Sequence, residues 1–166
     1  MTKQIGVISD THGTLPEEGF IKFLQPCDEI WHAGDIGNIQ VIKHLEKNHP
    51  VRAVYGNIDN QRIRSQWPLH QNFTCEAVHV LITHIGGRPG RYDQSVLPLL
   101  REKSPDLFIC GHSHILKIQY DDAHNFLYLN PGAAGTSGFH HVRTAVRFSI
   151  EDKNMKDMEV YEMSRA

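Results

Sequence analysis

The segment IGVISDTH, residues 5–12, is an apolar run followed at once by side chains that can bind a metal ion. Its first four residues predict a short β-strand, and Asp10 and His12 then lie just beyond the carboxyl end of that strand. In an open α/β sheet, ligands bind in the crevice beyond the carboxyl ends of the strands. The segment therefore predicts an α/β fold with a site at one edge of the sheet.

Four more apolar runs end in the same way, so residues far apart in sequence are expected to meet at that edge. Seven side chains able to bind metal follow the five runs: Asp10, His12, Asp35, Asn57, His84, His112 and His114. A glycine directly precedes three of them, at Gly34, Gly56 and Gly111. Because glycine has no Cβ, the backbone can turn sharply there and bring the next side chain toward a common point.

The predicted ligand set favours borderline divalent metals, because it combines carboxylate and amide oxygens with imidazole nitrogens and contains no thiolate. We expect two ions, manganese first, with nickel, iron, cobalt and zinc as alternatives. If Asp35 bridges them, their positive charge exceeds the negative charge of Asp10 and Asp35, and the site should attract an anion. A water between the ions should ionise near neutral pH, because one catalytic metal already lowers the pKa of a bound water to about 7.

Composition sets the class of protein. The 166 residues fit one domain, residues 1–166, with ordinary apolar content. The 17 Lys and Arg nearly balance the 19 Asp and Glu. The sequence has no basic stretch interleaved with aromatic residues, so it gives little support for a nucleic-acid groove. The three cysteines lack paired spacing, which favours a reducing, cytoplasmic compartment. We see no signal-peptide core and no apolar run long enough to span a membrane.

Helix signals alternate with the first strands. Thr14 is a candidate cap for a first helix, Asn38 for a second that extends through Lys47, and Ser95 for a third that ends near Ser104. The last third instead contains short strand-like runs separated by turns, at residues 115–120, 126–130, 144–150 and 155–163. These runs predict antiparallel strands. Together the two parts predict two stacked sheets with helices outside.

The motifs D-x-H, G-D, G-N, H and G-H-x-H, in this order over nearly the whole chain, resemble the calcineurin-like metallophosphoesterases. The size and the closing Asn-Pro-Gly are similar to the small bacterial and archaeal YfcE-like phosphodiesterases. The resemblance implies a four-layer αββα sandwich of two mixed β-sheets flanked by helices. It also implies two sets of metal ligands that share Asp35: Asp10, His12, Asp35 and His114 for one ion, and Asp35, Asn57, His84 and His112 for the other.

One position departs from the family pattern. Larger members carry a His directly after the G-N pair, and Ile58 occupies that position here. The general acid is therefore unassigned, which weakens hydrolysis of poor leaving groups more than attack by a metal-bridging hydroxide on activated diesters. Asp59 is interpreted in two ways, either as orienting the metal shell or as forming a turn beside a core-facing Ile58.

Substrate contacts are less well defined. The resemblance makes Asn57 and His84 candidates for contact with a phosphate. In the glycine-rich segment after His84, Arg91 or Arg88 could hold a phosphate oxygen and Tyr92 could stack on an aryl or base group. A solvated loop is the alternative for this segment. The segment FHHVR, residues 139–143, is assigned no role, and the eight histidines outside the predicted set are expected on the surface or satisfied in the core.

Three functions fit these observations. The first is a metal-dependent phosphodiesterase that acts on a small phosphoester. The second is a non-catalytic metal-binding scaffold, because the retromer scaffold subunit resembles this family but has lost metal-site residues. The third is a metal-binding regulatory module without turnover. Since all seven ligand positions are occupied, we favour the enzyme. The sequence leaves a homo-oligomer open.

Overall fold

The computed structural model describes residues 1–165 of the chain, which form two five-stranded sheets, one two-stranded hairpin and four helices. The strands are β1 Thr2–Ile8, β2 Glu29–His32, β3 Val51–Ala53, β4 His70–Cys75, β5 Val78–Thr83, β6 Gly87–Arg88, β7 Arg91–Tyr92, β8 Leu107–Ile109, β9 Leu116–Asp121, β10 Phe126–Pro131, β11 Val142–Glu151 and β12 Asn154–Ser164. The helices are α1 Glu18–Leu24, α2 Ile39–Glu46, α3 Gln61–Arg64 and α4 Leu97–Lys103.

The first sheet has the strand order β12-β11-β1-β2-β3. Strands β1, β2 and β3 run parallel, whereas β11 and β12 add antiparallel partners on the other side of β1. Ile8 at the end of β1 pairs with His32 at the end of β2. Because the three parallel strands end at one edge, the loops that carry Asp10, Asp35 and Asn57 emerge side by side.

The second sheet has the strand order β4-β5-β8-β10-β9. Strands β5, β8 and β10 run parallel, and Ile82 of β5 pairs with Ile109 of β8. This register brings His84, which follows β5, next to the Gly-His-Ser-His loop that follows β8. The amide hydrogen of Gly111 donates to the carbonyl of His84 at 3.0 Å, which joins the two loops directly.

The core follows from the alternation of side chains along the strands. Val7 faces the second sheet and packs with Trp31, Ile82 and Ile109 between the two sheets. Its neighbour in the chain, Ile8, faces outward and packs under α1 and α2 in a separate buried cluster. A third cluster places α4 on the outer face of the second sheet. The predicted four-layer order of helices, sheet, sheet and helices is confirmed.

The helix starts show where local signals were insufficient. Asn38 caps α2 as predicted, because its side chain accepts from the amide of Gln40 at 2.9 Å. Thr14 does not open α1, which begins at Glu18. Ser95 does not cap α4: its hydroxyl and amide both bond to Asp93 in a preceding turn, so the helix begins at Leu97.

Three further elements were not predicted from the sequence, namely strand β4, helix α3 and the β6–β7 hairpin. Among residues 1–165, no helix has the length and apolar character that a membrane crossing needs.

Candidate metal centre

Loops from both sheets meet at one edge of the molecule and hold the predicted ligands. The loops after β1 and β2 are joined by backbone hydrogen bonds from Asp10 to Gly34 (2.9 Å) and from His12 to Asp35 (3.0 Å). Asp10, Asp35 and His84 are buried, and the remaining ligand candidates are half-buried or exposed. The arrangement forms a shallow cluster that opens to solvent on its histidine side.

Six of the seven predicted residues fall into two groups, each with its ligand atoms within 4.8 Å of one another: Asp10, His12 and His114, and Asp35, His84 and His112. Asp35 links the groups, because its Oδ2 lies 3.3 Å from Nε2 of His12 and 3.2 Å from Nε2 of His84. Oδ1 of Asp10 lies 3.3 Å from Nε2 of His114. Asp35 is therefore well placed to bridge two ions.

Unsatisfied buried atoms concentrate in this cluster. Within the described residues, six buried side-chain nitrogen or oxygen atoms lack a hydrogen-bond partner, and three of them are Asp10 Oδ1, His12 Nε2 and His84 Nε2. A buried polar atom left without a partner costs about 1–3 kcal/mol. One carboxylate oxygen and two imidazole nitrogens left without partners at this edge fit divalent cations, because such ions accept lone pairs from these atom types.

Hydrogen bonds fix which nitrogen of two histidines is available to a metal. Nδ1 of His84 lies 2.8 Å from the carbonyl oxygen of Ala33, which can only accept, so Nδ1 carries the proton and Nε2 presents its lone pair. Nε2 of His140 donates to the carbonyl of Gly135 at 2.9 Å. Nδ1 of His140 therefore accepts from Nδ1 of His114 at 3.2 Å, which leaves Nε2 of His114 free for a metal.

His140 and Asn130 are supporting residues that the sequence analysis did not assign. Burial lowers the pKa of His140, which favours the neutral ring that can accept from His114. Asn130 is fully buried, and its amide donates to the carbonyl of Gly111 at 3.0 Å and to the hydroxyl of Ser113 at 3.1 Å. The Asn-Pro-Gly sequence was a signal for Asn130, whereas no local pattern distinguishes His140 from His141.

The backbone is strained at most of the predicted ligands. Five of the seven have a positive φ: Asp10 (55°), His12 (47°), Asp35 (55°), His112 (72°) and His114 (63°). Such a conformation costs of order 1–3 kcal/mol per residue and is found at sites where the surrounding structure enforces it. Simple alternation along an extended segment would have put both histidines of the Gly-His-Ser-His loop on one face. The left-handed turns instead send them to different groups.

Close approach explains two of the predicted glycines. A Cβ on Gly56 would collide with the carboxylate of Asp35, and one on Gly111 would lie 2.7 Å from Oδ2 of Asp10. The third, Gly34, has a φ of 101° that side chains rarely adopt. The expectation that these glycines allow the loops to converge is confirmed.

Asp59 ties the loops together beneath the cluster. Its carboxylate is buried and accepts from the amides of Ile36 (3.1 Å), Gly37 (2.8 Å) and Gly56 (2.7 Å). The interpretation of Asp59 as a residue that orients the metal shell is therefore supported. Ile58 does not face the core, because 46% of its surface is exposed, but its amide donates to Oδ1 of Asp35 at 3.1 Å.

Asn57 borders the second group without belonging to it in this arrangement. Its Oδ1 lies 3.1 Å from Nδ1 of His112, so the two exposed side chains form a hydrogen bond. Since the amide oxygen is the acceptor, the NH₂ group is left to face other partners. A role for Asn57 as a metal ligand stays a prediction.

The carboxylates and imidazoles of the cluster shift one another's pKa values toward the charged forms. Burial opposes ionisation of Asp10, but the neighbouring imidazoles of His114 and His12 outweigh it and hold the pKa of Asp10 well below its usual range. Burial likewise opposes ionisation of Asp35, and His84 lowers the Asp35 pKa overall. The pKa of His12 is raised, chiefly by the nearby carboxylate of Asp10. Because the carboxylates also overcome burial at His84 and raise its pKa, metal binding is expected to compete with protons at these two rings.

The predicted substrate residues have different outcomes. Arg88 and Arg91 pair across the β6–β7 hairpin and line a cleft that includes His112. Tyr92 also lines this cleft but is largely buried. Its ring packs edge-on against Phe108 and its hydroxyl donates to Asp121 at 2.5 Å, so most of the side chain belongs to the core under α4. Stacking of Tyr92 on a substrate stays a prediction.

The fold and this cluster define a member of a metal-dependent phosphoesterase class. The model of the calcineurin-like phosphoesterase superfamily domain matches residues 4–153, and the chain belongs to this superfamily, whose members use divalent metals. A probable metallophosphoesterase from Methanocaldococcus jannaschii is 32% identical over 158 residues, which cover 92% of this chain and 78% of that protein. A phosphodiesterase from the same archaeon is 29% identical over 145 residues, which cover 78% of this chain and 82% of that protein.

Solved structures share the fold. A Vps29 from Entamoeba histolytica in complex with Zn²⁺ has a TM-score of 0.74 at 17% identity, over 98% of this chain and 99% of that one. A predicted phosphoesterase from Streptococcus pneumoniae has a TM-score of 0.70 at 21% identity, over 99% of this chain and 91% of that one. At these identities, the similarity establishes the two-sheet architecture alone.

Proposed function

We propose that this protein is a phosphodiesterase that depends on two divalent ions, with manganese as the first expectation. One observation carries the proposal: the unsatisfied atoms of Asp10, His12 and His84 converge at the strand edge of a phosphoesterase fold. Divalent ions held there would supply electrophilic activation of a phosphoryl group and of the attacking water. The proposed ligand sets are those predicted from the sequence, with Asp35 shared.

The chain's own groups are suited to holding a phosphate beside these ions. The low pKa values of Asp10 and Asp35 keep both carboxylates ionised at neutral pH, so they can bind cations without first losing a proton. The NH₂ group of Asn57 can donate to a phosphate oxygen, because the Asn57 amide oxygen already accepts from His112. His84, whose Nδ1 proton is committed to a backbone carbonyl, is restricted to binding through Nε2.

The exposed Ile58 supports a diester with a good leaving group. Where the larger family members carry a histidine, this chain presents an aliphatic side chain to solvent, which cannot protonate a departing alkoxide. A stable phenolate needs no such proton. We therefore expect rates to fall steeply as the pKa of the leaving group rises, and activated diesters to exceed alkyl monoesters as substrates.

The test is hydrolysis of bis(p-nitrophenyl) phosphate by protein that has been stripped with a chelator and reloaded with Mn²⁺. The expected result is turnover that requires metal, together with two manganese ions per chain by elemental analysis. Binding of at most one ion after saturation would contradict the two-ion site. Full metal loading without turnover of any phosphoester would instead favour the scaffold or the regulatory module.

We also propose a cytoplasmic location. The three cysteines, Cys27, Cys75 and Cys110, are buried and free, and burial raises the pKa of the Cys27 thiol to about 11. Thiols of this kind are typical of proteins in a reducing compartment. The proposed partner is a small phosphoester, with self-association left to measurement of the mass in solution.

A further inference from the structure

A cleft of about 670 Å³ opens directly beside the metal-ligand candidate His112. One wall is the β6–β7 hairpin, and the other comes from the loop after β8 and the start of β9. The volume is within the range of small-molecule sites. A phosphate placed at the ligand cluster would therefore have a second binding region within reach of one of its ester arms.

Three basic side chains line this cleft: Arg88, Arg91 and Lys117. Within residues 1–165, none of the three forms an ion pair or a side-chain hydrogen bond, whereas several exposed lysines elsewhere do, such as Lys156 with Glu151 at 3.1 Å. The cleft also contains one carboxylate, Asp93, whose Oδ1 already accepts from the amide and the hydroxyl of Ser95. The lining thus has an excess of positive charge, with three basic side chains against the single carboxylate of Asp93.

The position of the two arginines points to an anionic ligand. Arg88 and Arg91 are directly opposite each other in the β6–β7 hairpin, and like charges at such positions destabilise a strand pair. An anion held between the two guanidinium groups would reverse that repulsion, because each can donate two parallel hydrogen bonds to phosphate. Lys117, on β9, adds a point charge from the opposite wall.

Apolar side chains share the cleft with the cations. Ile115 is 65% exposed and Ile85 is 36% exposed, and both line the cleft. Ile85 also lines a second, smaller cleft of about 420 Å³ that includes His84, together with Leu69 and Tyr55. The arginine of that second cleft, Arg64, is already engaged, since it donates to the carbonyl of Asp59 at 2.7 Å. The ligand cluster thus borders a cationic cleft through His112 and a largely apolar one through His84.

We propose that the cleft lined by Arg88, Arg91 and Lys117 binds a second phosphate group carried on one arm of the substrate. This inference rests on the proposed phosphodiesterase function and names its substrate class. The substrate is a phosphodiester with a phosphorylated organic arm, whose carbon skeleton contacts Ile85 and Ile115. The other, uncharged arm faces Leu69 and Tyr55.

The experiment compares two matched substrates, thymidine 5′-(p-nitrophenyl phosphate) with and without a 3′-phosphate. A hydrogen-bonded charge pair is worth enough to give about a tenfold or larger advantage in kcat/KM to the phosphorylated substrate. In the Arg88→Gln/Arg91→Gln double variant, the ratio of the two kcat/KM values should fall toward one. The matched control is Arg101→Gln, an exposed arginine on α4, which should keep the wild-type ratio.

Failure of this inference differs from failure of the proposed function. Equal kcat/KM for both substrates in the wild type overturns the phosphate cleft and leaves the phosphodiesterase intact. Absence of hydrolysis with both substrates overturns the proposed phosphodiesterase function. Calorimetry on Mn²⁺-loaded protein then tests whether the cleft binds a phosphate group. Thymidine 3′,5′-bisphosphate should bind about tenfold or more tightly than thymidine 5′-monophosphate, with the difference abolished in the double variant. Equal affinities for the two nucleotides overturn the inference.

Discussion

Two buried histidines, His32 and His84, lie in neighbouring regions of the molecule and have opposite environments. His32, the last residue of β2, accepts from the amide of Gly34 at 3.1 Å and bonds to the hydroxyl of Thr11 at 3.0 Å, so both ring nitrogens are satisfied. His84, in the loop edge, has one nitrogen bonded and the other unsatisfied beside two carboxylates. Burial lowers the pKa of His32 to about 4, whereas the carboxylates around His84 overcome its burial and raise its pKa.

This difference teaches that burial alone does not distinguish a structural imidazole from a ligand. A satisfied ring stabilises the fold, and its removal should affect unfolding. An unsatisfied ring that faces carboxylates marks a place where an ion is needed, and its removal should affect metal binding. Substitutions of satisfied residues such as His32 and of ligand candidates such as His84 should therefore separate effects on stability from effects on function.

The largest effect is expected for Asp35→Asn in the loop edge. Loss of the carboxylate that touches both ligand groups should lower kcat/KM by about 1,000-fold or more, the upper range for removal of an electrostatic group from a transition state. The metal-free protein should still fold, with a modestly lower free energy of unfolding, because the lowered pKa of Asp35 means that its charge stabilises the folded state. Steady-state kinetics and urea unfolding measure the two quantities, with the exposed Asp122→Asn as control. Retention of wild-type activity by Asp35→Asn would exclude a bridging role.

The next effect concerns His32 and pH. Its folded-state pKa of about 4 is below the ordinary value of 6.5, so between these pH values the unfolded chain binds more protons. The contribution of neutral His32 to the free energy of unfolding is therefore complete above about pH 6.5 and is lost as the pH falls toward 4. Because each tenfold difference in proton affinity corresponds to about 1.4 kcal/mol, the loss is on the order of 3 kcal/mol.

Comparison with His32→Gln isolates this contribution, because the other titrating groups are common to both proteins. Urea unfolding of the metal-free proteins from pH 7 to pH 4 should give a steeper pH dependence for the wild type. Parallel curves would show that His32 does not bind its proton in the way described.

A smaller effect is expected for His140, which supports the loop edge from outside it. His140→Ala removes the acceptor that orients the ring of His114, and loss of such a supporting partner typically weakens metal affinity by about 10–100-fold. Titration with Mn²⁺ or Zn²⁺ measures the affinity. His141→Ala is the matched control, because His141 is adjacent and exposed. Equal affinities in the two variants would remove His140 from the site.

The smallest effect is expected for Tyr92→Phe. The Tyr92 hydroxyl donates a hydrogen bond to Asp121, so this group is satisfied in the same way as the two ring nitrogens of His32. Loss of the hydroxyl should therefore lower the free energy of unfolding by about 1–2 kcal/mol. Since the ring is buried in the core, kcat/KM should be unchanged. A selective loss of activity at normal stability would place Tyr92 in the substrate site.

Prediction from sequence succeeded where a local pattern carries the information. Residues 115–120 and 126–130 were predicted as strands and form β9 and β10 with bounds that differ by at most one residue at each end, because strand-like runs and turn residues are local properties. Asn38 was identified as a cap because its acceptor reaches an amide only two residues away. Thr14 and Ser95 resemble caps equally well, but tertiary contacts and a competing turn at Asp93 move those helix starts.

The sequence by itself determined the identities of the ligand candidates, the edge at which they meet and the family, because strand ends, glycines and motif order can all be read along the chain. Only the tertiary structure decided which ligands group together, that His140 orients His114 and that Arg88 and Arg91 share a cleft with Lys117. The physical reason is that these relations depend on distances between segments far apart in the chain. The packing of two sheets and the strained turns at their edge set those distances, and no local pattern encodes them.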